Sequence, residues 1–489
     1  MPTRVLELVD TSANIRLLQP KKGQFLGKHI TLSHCWGKAH LIKLTNKTMD
    51  QFNRGIALEE LPKLYQETID ICRDLEIRYC WIDSLCIIQD DPDDWVREAV
   101  LMGSVFRNSF CNIEAYHAED GGGRLIFPWD ETKVNLFKLR FETPLHGLID
   151  WVVFNRLQNR TNDSGEAPLY KRAWVMQEQL LSPRSLIFSK TQIHWVCRKT
   201  EASVLFPTLP DLRRGHELKS RSMTCPPLNY LKKWLVTEGV NKDNYSLIGS
   251  PNIVSPWKGF CAAWRGLVAD YTSRSMSFEK DKLVALAGLA AELKRKLGDS
   301  YQYVAGMWNV RFTIEYELCW KVTARDNGEK PYRFQEYRAP SWSWASVEGN
   351  IWWNYQKDWD LTGDTRLSYV ENVEVETTDG TLTGPMKSGR LRIRGPLLEH
   401  PGGLAISVDD ANYYLSAFGG KVYTLTMFAL YCDQQVWDLL FNVWRTERMK
   451  AVTNGLGHSA SATMLEAMGK STPSTIERLG RRILLSKAT

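Results

Sequence analysis

Arg78-Tyr-Cys-Trp-Ile-Asp-Ser-Leu-Cys-Ile-Ile-Gln-Asp-Asp91 is the stretch that decides the fold. Tyr79 to Ile82 reads as a short buried strand that stops at Asp83, after which the chain turns and opens a helix with Asp93 as its N-cap. An acid at the carboxyl end of a buried strand stands where an open α/β sheet places ligand chemistry. Upstream, Ile30-Thr-Leu-Ser-His-Cys-Trp-Gly37 repeats the design: a strand, then small and polar residues, then glycine. Downstream, Arg172-Ala-Trp-Val-Met-Gln-Glu178 opens another helix. The three stretches are expected to meet in one cleft.

Between these stretches the periods alternate. Leu61-Pro62 starts a helix, since proline suits a first turn, and Leu61, Tyr65, Thr68, Cys72 and Leu75 recur at helical spacing. Trp95, Ala99, Met102 and Phe106 form the inward face of the next helix, and Phe110 to Ala115 is a third strand. Strands alternating with helices of this length imply parallel pairing in a three-layer α/β domain. Residues 1 to 29 read as a lead-in with one edge strand, Ile15 to Leu18. Leu148 to Phe154 is a strand candidate, and Ser185 to Phe188 with Gln192 to Val196 is a hairpin.

The many prolines, glycines and polar residues of 198 to 255 suggest a domain junction. Trp257, Cys261, Trp264, Val268 and Tyr271 line an amphipathic helix, and a second helix spans Glu279 to Leu297. From Gly349 to about Leu430 alternation and turns dominate, and the last 50 residues read as helical or disordered. The expected division is an α/β domain at 1–205, a helical, Trp-rich middle region at 206–345 and a β-rich region at 346–489 with an irregular tail.

At 489 residues the length suggests roughly three domains. A net charge of +6 is mild for this length, and Lys and Arg are interspersed with acids, so no basic stripe argues for nucleic acid. Ten cysteines without CxxC pairs argue against a disulfide framework and a zinc site. Nine histidines show no HxH or HExxH spacing, so no metal site is expected. With no signal-peptide core at the N-terminus and no run of about 18 apolar residues, the expected setting is reduced and cytoplasmic, without a membrane span. The 19 tryptophans point first to core burial.

Several motifs occur together and in order: Leu32-Ser-His-Cys-Trp-Gly37, the Leu61-Pro62 helix, Trp81-Ile-Asp-Ser-Leu-Cys-Ile-Ile-Gln-Asp90, Asp94-Trp95 with Glu98 and Met102, and Arg172-Ala-Trp-Val-Met-Gln-Glu178 with Leu181-Ser182 and Arg184. In this set the chain resembles the fungal heterokaryon-incompatibility (HET) domain. Gln192-Ile-His-Trp-Val-Cys197 followed by Glu201 resembles the end of that domain. Asp281-Lys-Leu with Leu286-Ala-Gly288, Ala305-Gly-Met-Trp308 and Pro340-Ser-Trp-Ser-Trp-Ala345 resemble the C-terminal part common among such proteins. The resemblance implies a fungal protein that triggers cell death when genetically different hyphae fuse. It also implies a distant likeness to the TIR domain, a flavodoxin-like signalling module. Other such proteins lie in secondary-metabolite gene clusters, and an accessory role of that kind is an alternative.

The TIR likeness directs attention to a glutamate four residues after a tryptophan on one helix. Trp174 and Glu178 have that spacing, which puts both on one helix face. Glu178 would be the anion that stabilises an oxocarbenium-like transition state as NAD loses nicotinamide. NAD is then a substrate, and no cofactor is called for. Ser33, Cys35, Trp36, Gly37, Asp83, Arg172 and Trp174 would bind that substrate, Asp83 at the ribose hydroxyls and Gly37 where backbone meets a phosphate. Four of them have a structural alternative. Glu178 could pair with Arg172 or Arg184, Asp83 could cap its own turn, and Trp36 and Gly37 could pack that turn. A Cys35 nucleophile with His34 as its base fits poorly, since neighbours on a strand point to opposite faces. The non-enzymatic alternative is an interaction scaffold that self-associates through this domain and answers an unknown protein trigger.

Overall fold

A computed structural model describes residues 1–8, 14–21, 23–37, 42–127, 137–143, 147–153, 167–190, 192–204, 232, 256–310, 314–325, 327–353, 369–394, 397–399, 417–418 and 421–425. The last 50 residues, and most of the expected junction at 198–255, lie outside the described residues. The chain divides into two compact units: 1–301 with 378–385, and 302–377 with 386–489.

In the first unit β1 (Val5–Leu8), β2 (Asn14–Leu18) and β3 (His29–Ser33) are followed by α1 (Met49–Arg54), β4 (Ile56–Ala57) and α2 (Lys63–Asp74). Then come β5 (Tyr79–Ile82), the single turn α3 (Asp83–Cys86), α4 (Pro92–Arg107) and β6 (Cys111–Ala115). A separate hairpin, β7 (Phe137–Thr143) and β8 (Gly147–Val153), precedes α5 (Ala173–Leu181), β9 (Arg184–Phe188), β10 (Ile193–Cys197) and β11 (Glu201–Ser203). The long helices α6 (Pro256–Ser273) and α7 (Val284–Leu297) complete the unit.

Nine strands form one mixed sheet in the order β11-β10-β9-β6-β3-β5-β1-β2-β4. Its centre, β5-β3-β6-β9, is parallel, as the alternating periods predicted. Antiparallel strands extend it on both sides. The chain runs from β3 outward to β5 and then crosses back over β3 to β6. Right-handed crossovers therefore put α2 and α4 on opposite faces, and α4, α5 and α7 pack together on one of them. Numbered by first appearance, the parallel strands follow the order 2-1-3-4, with the direction reversing between β3 and β6. A doubly wound sheet opens its ligand crevice at such a point, outside the carboxyl ends.

Three expectations are corrected. The segment 1–29 is no lead-in with an edge strand: it supplies β1 and β2, and β2 lies between β1 and β4. β1 escaped notice because it is four residues long and carries Glu7, which is buried against Arg78 at 2.7 Å and also pairs with Arg16. The N-cap of α4 is Asp91, not Asp93, accepting from the Asp93 and Asp94 amides at 3.0 and 3.1 Å. The reason is Pro92, which has no N–H to offer and occupies the first helical position. The chain also does not wait until that point to turn helical, because α3 starts at Asp83 itself.

Two close approaches fix the helical layer and the second unit. α4 and α7 cross at Gly103 and Gly288, where a Cβ on either would lie 2.7 Å from the other's Cα. The Gln177 side chain of α5 accepts from the Gly288 amide there at 2.8 Å. The second unit is β-rich, with paired strands Trp320–Thr323 against Asn350–Trp353 and a long hairpin of Tyr369–Thr377 and Met386–Arg394. Pro340-Ser-Trp-Ser-Trp-Ala345 is a turn that buries Ser343, Trp344 and Ala345: the Trp344 indole donates to the Gly306 carbonyl at 3.0 Å and Ser343 to that of Ala305 at 2.6 Å. Gly306 has φ +93°, and a Cβ there would strike the Trp344 ring. Trp81, Trp264, Trp308 and Trp344 are fully buried, in line with the core reading of the tryptophans. Cys35, Cys72, Cys80, Cys86, Cys111 and Cys197 are in the thiol form.

Candidate functional site

The polar residues of the central strands share one face because side chains alternate. Thr31 and Ser33 of β3 stand beside Asn112 and Glu114 of β6 in register, and all four are buried. Thr31 donates to the Asn112 side-chain oxygen at 2.9 Å, and the Asn112 amide donates to the Ser33 Oγ, also at 2.9 Å. Ser33 in turn donates to the Glu178 carboxylate. The next residue of α5, Gln179, donates to Glu114 at 2.7 Å and to the Tyr116 hydroxyl at 3.1 Å. A chain of donors thus runs up the sheet and ends on Glu178 at the carboxyl end of β3.

Glu178 is 5% exposed. Burial pushes its carboxyl up to about 7, against the pull of the Arg172 cation and the Ser33 hydroxyl, while Asp83 and Glu114 push the same way as burial. Among the described residues no cation comes within ion-pair distance of Glu178. Arg172 donates instead to the His34 carbonyl, and Arg184 donates to that of Phe110. The expected alternative of a structural ion pair at Glu178 is therefore absent from the described residues.

Asp83 occupies the adjacent carboxyl end, that of β5. One oxygen accepts from the Ser84 amide at 2.7 Å, which caps the turn, and the other from the Trp36 indole at 2.8 Å. His34 turns away from Ser33, as strand alternation requires, and meets the Tyr65 hydroxyl of α2 at 2.8 Å. That hydroxyl also contacts Ser84 at 2.9 Å. Burial drives the His34 ring down to about 4, so it is neutral. Its Nδ1 has no hydrogen-bond partner and sits 3.8 Å from Asp83. Two lines of polar contacts, one on each face of the sheet, therefore converge on the Ser33–His34 step.

Of the expected site residues, Ser33, Trp36, Asp83, Arg172 and Glu178 come together. Trp174 stacks edge-on against Trp95 with ring centroids 6.4 Å apart. Cys35 packs in an apolar cluster with Tyr116, Val175 and Ile187, where burial raises its thiol above the ordinary range. Gly37 has φ +62°, and a Cβ there would meet Asp120, so its backbone serves a close approach within the fold.

The structure adds Thr31, Asn112, Glu114, Gln179, Tyr65 and Ser84. The available signal was Cys111-Asn-Ile-Glu-Ala115, in which two polar residues alternate inside a strand too apolar to lie at the surface. Asp94 and Glu98, part of the ordered motifs, serve another end: both pair with buried Arg4, Glu98 at 3.4 Å, and pin the N-terminus to α4. Among the described residues no helix is long and apolar enough to cross a membrane, and no cluster of His, Cys, Asp and Glu is arranged to hold a metal ion.

Residues 29–178, from the first residue of β3 to Glu178, match the family model described as "Heterokaryon incompatibility protein (HET)". No curated protein and no solved structure matches the chain.

Proposed function

We propose that this chain, whose residues 29–178 match the heterokaryon-incompatibility family model, acts as a nonself-recognition effector that kills the cell by hydrolysing NAD. The reading rests on one observation: a buried carboxyl, Glu178, fixed by Ser33 at the switch point of the parallel strands, with Asp83 at the next carboxyl end. The 2-1-3-4 strand order supports the likeness to TIR enzymes.

In this reaction the bond between ribose C1 and the nicotinamide nitrogen breaks, and its electron pair stays on nitrogen. Nicotinamide leaves neutral, so no general acid is needed. The positive charge left on the ribose faces the Glu178 carboxylate, and a fixed anion in a water-poor site is strongly stabilising there. Water then adds to C1, its proton passes to Glu178 and on to solvent, and ADP-ribose is released. The free lone pairs of Asp83 and the unpartnered Nδ1 of His34 are suited to the ribose hydroxyls. Concentrated protein should release nicotinamide from NAD, and Glu178→Gln should abolish it while the variant stays folded. Release that persists in Glu178→Gln refutes the role of Glu178.

A scaffold without turnover is the second reading, and the burial of Glu178 under Ser33 favours it. Under that reading purified protein self-associates and releases no nicotinamide at any concentration.

A further inference from the structure

The amino end of the same sheet carries a second cluster, separated from Ser33 by the five residues of β3, a length of about 16 Å. Arg184 opens β9, Arg198 follows β10, Arg107 ends α4, and Arg295 and Lys296 lie in the last turn of α7. One carboxylate serves this group. Glu292, 9% exposed, meets Arg107 at 3.2 Å, Arg295 at 2.9 Å and Lys296 at 3.9 Å. Arg198 is half-buried and, among the described residues, has no hydrogen bond or ion pair, although Arg107, Arg184 and Glu292 all lie within electrostatic range.

Burial first, then Arg107 and Arg184, lower the Arg198 guanidinium from its ordinary value against the pull of Glu292. The Lys296 ammonium is pushed down to about 8 by burial and by Arg198, Arg295 and Arg107, again against Glu292. Arg107, Arg198, Arg295 and Lys296 with Glu292 leave a surplus of three positive charges. A partly desolvated surplus of like charge destabilises a fold unless an anion neutralises it.

We infer that this cluster is a binding site for a small soluble anion carrying two or more phosphate charges. Guanidinium forks match phosphate oxygens two at a time, and among the described residues no hydrogen bond or ion pair occupies the Arg198 fork. The patch is compact, not a stripe, which suits a diphosphate better than a nucleic-acid backbone. The site belongs to α4, α7 and the β9–β10 edge, and does not depend on the proposed chemistry at Glu178.

The test is calorimetric titration of the full chain with inorganic pyrophosphate at constant ionic strength, with ADP as a second arm. Pyrophosphate should bind saturably at one site, and Arg198→Gln and Lys296→Gln should each weaken it about tenfold or more, the loss of one charge-assisted contact. Glu292→Gln, which removes the competing carboxylate, should tighten it. Among the described residues Arg198→Gln loses no hydrogen bond or ion pair, so its melting temperature without ligand should match or exceed that of the parent. Added pyrophosphate should stabilise the parent markedly more than Arg198→Gln. Equal affinities for the two probes identify a free polyphosphate, and tighter ADP binding that Arg198→Gln abolishes identifies a nucleotide-borne diphosphate. No saturable binding, binding unchanged in Arg198→Gln, or binding only to anionic phospholipid vesicles overturns the inference.

Discussion

Glu178 shows how one side chain's properties are set by its surroundings. Its carboxyl stands near 7 because burial outweighs Arg172 and Ser33. Only the ionised form can stabilise a ribosyl cation, so nicotinamide release should fall on the acid side with an apparent pKa of about 7. A profile flat from pH 6 to 8, measured at saturating NAD, would detach turnover from this group. The role proposed for Glu178 was legible in the sequence only through its spacing from Trp174 and the family resemblance. Its partner Ser33 could be named, but not the Thr31–Asn112–Ser33 chain behind it, since Asn112 lies 79 residues from Ser33. Cys35 and Gly37 illustrate the converse: their position after a strand suggested a ligand site, while neighbours invisible in the sequence, Tyr116 and Asp120, occupy them.

At the level of elements, the helical layer over the sheet is set by backbone proximity. Gly103 and Gly288 let α4 and α7 touch, and the Gln177 side chain of α5 closes the contact. Gly103→Ala should force the helices apart and destabilise the unit by about 1–3 kcal/mol, the usual effect of overpacking. Alanine at the exposed neighbour Val100 should change stability by less than about 0.5 kcal/mol. Denaturant midpoints check both, and equal shifts would mean the helices do not meet there. The longer helices and the central strands were readable, even four-residue β5, because their apolar runs or periods are unbroken. β1 was not, because Glu7 interrupts its apolar run, nor was α3, a single turn, and the α4 cap shifted because Pro92 fixes the helix start.

For the molecule as a whole, the buried groups pull stability in opposite directions with pH. His29 and His34 both stand near 4 inside the fold. Their contribution is complete above pH 6.5 and is lost as pH falls through 4. Glu178 works in reverse: folding favours its protonated form, so its contribution is complete below 4.5 and is lost as pH rises through 7. Glu178→Gln should therefore gain on the parent by about 3 kcal/mol between pH 4.5 and 8, read from urea unfolding at the two pH values. A constant difference would show that the carboxyl carries no burial penalty.

The alternation of the central strands with α2 and α4, their parallel pairing and the motifs that resemble the HET domain came from the chain alone, because local period and motif order are properties of neighbouring residues. Only the folded chain decided that Ser33, Asp83 and Glu178 stand together, that Cys35 is core, and that Arg107, Arg295 and Lys296 share the Glu292 carboxylate. Those facts depend on which strands pair and on how much water the pairing excludes, and no stretch of sequence encodes either one locally.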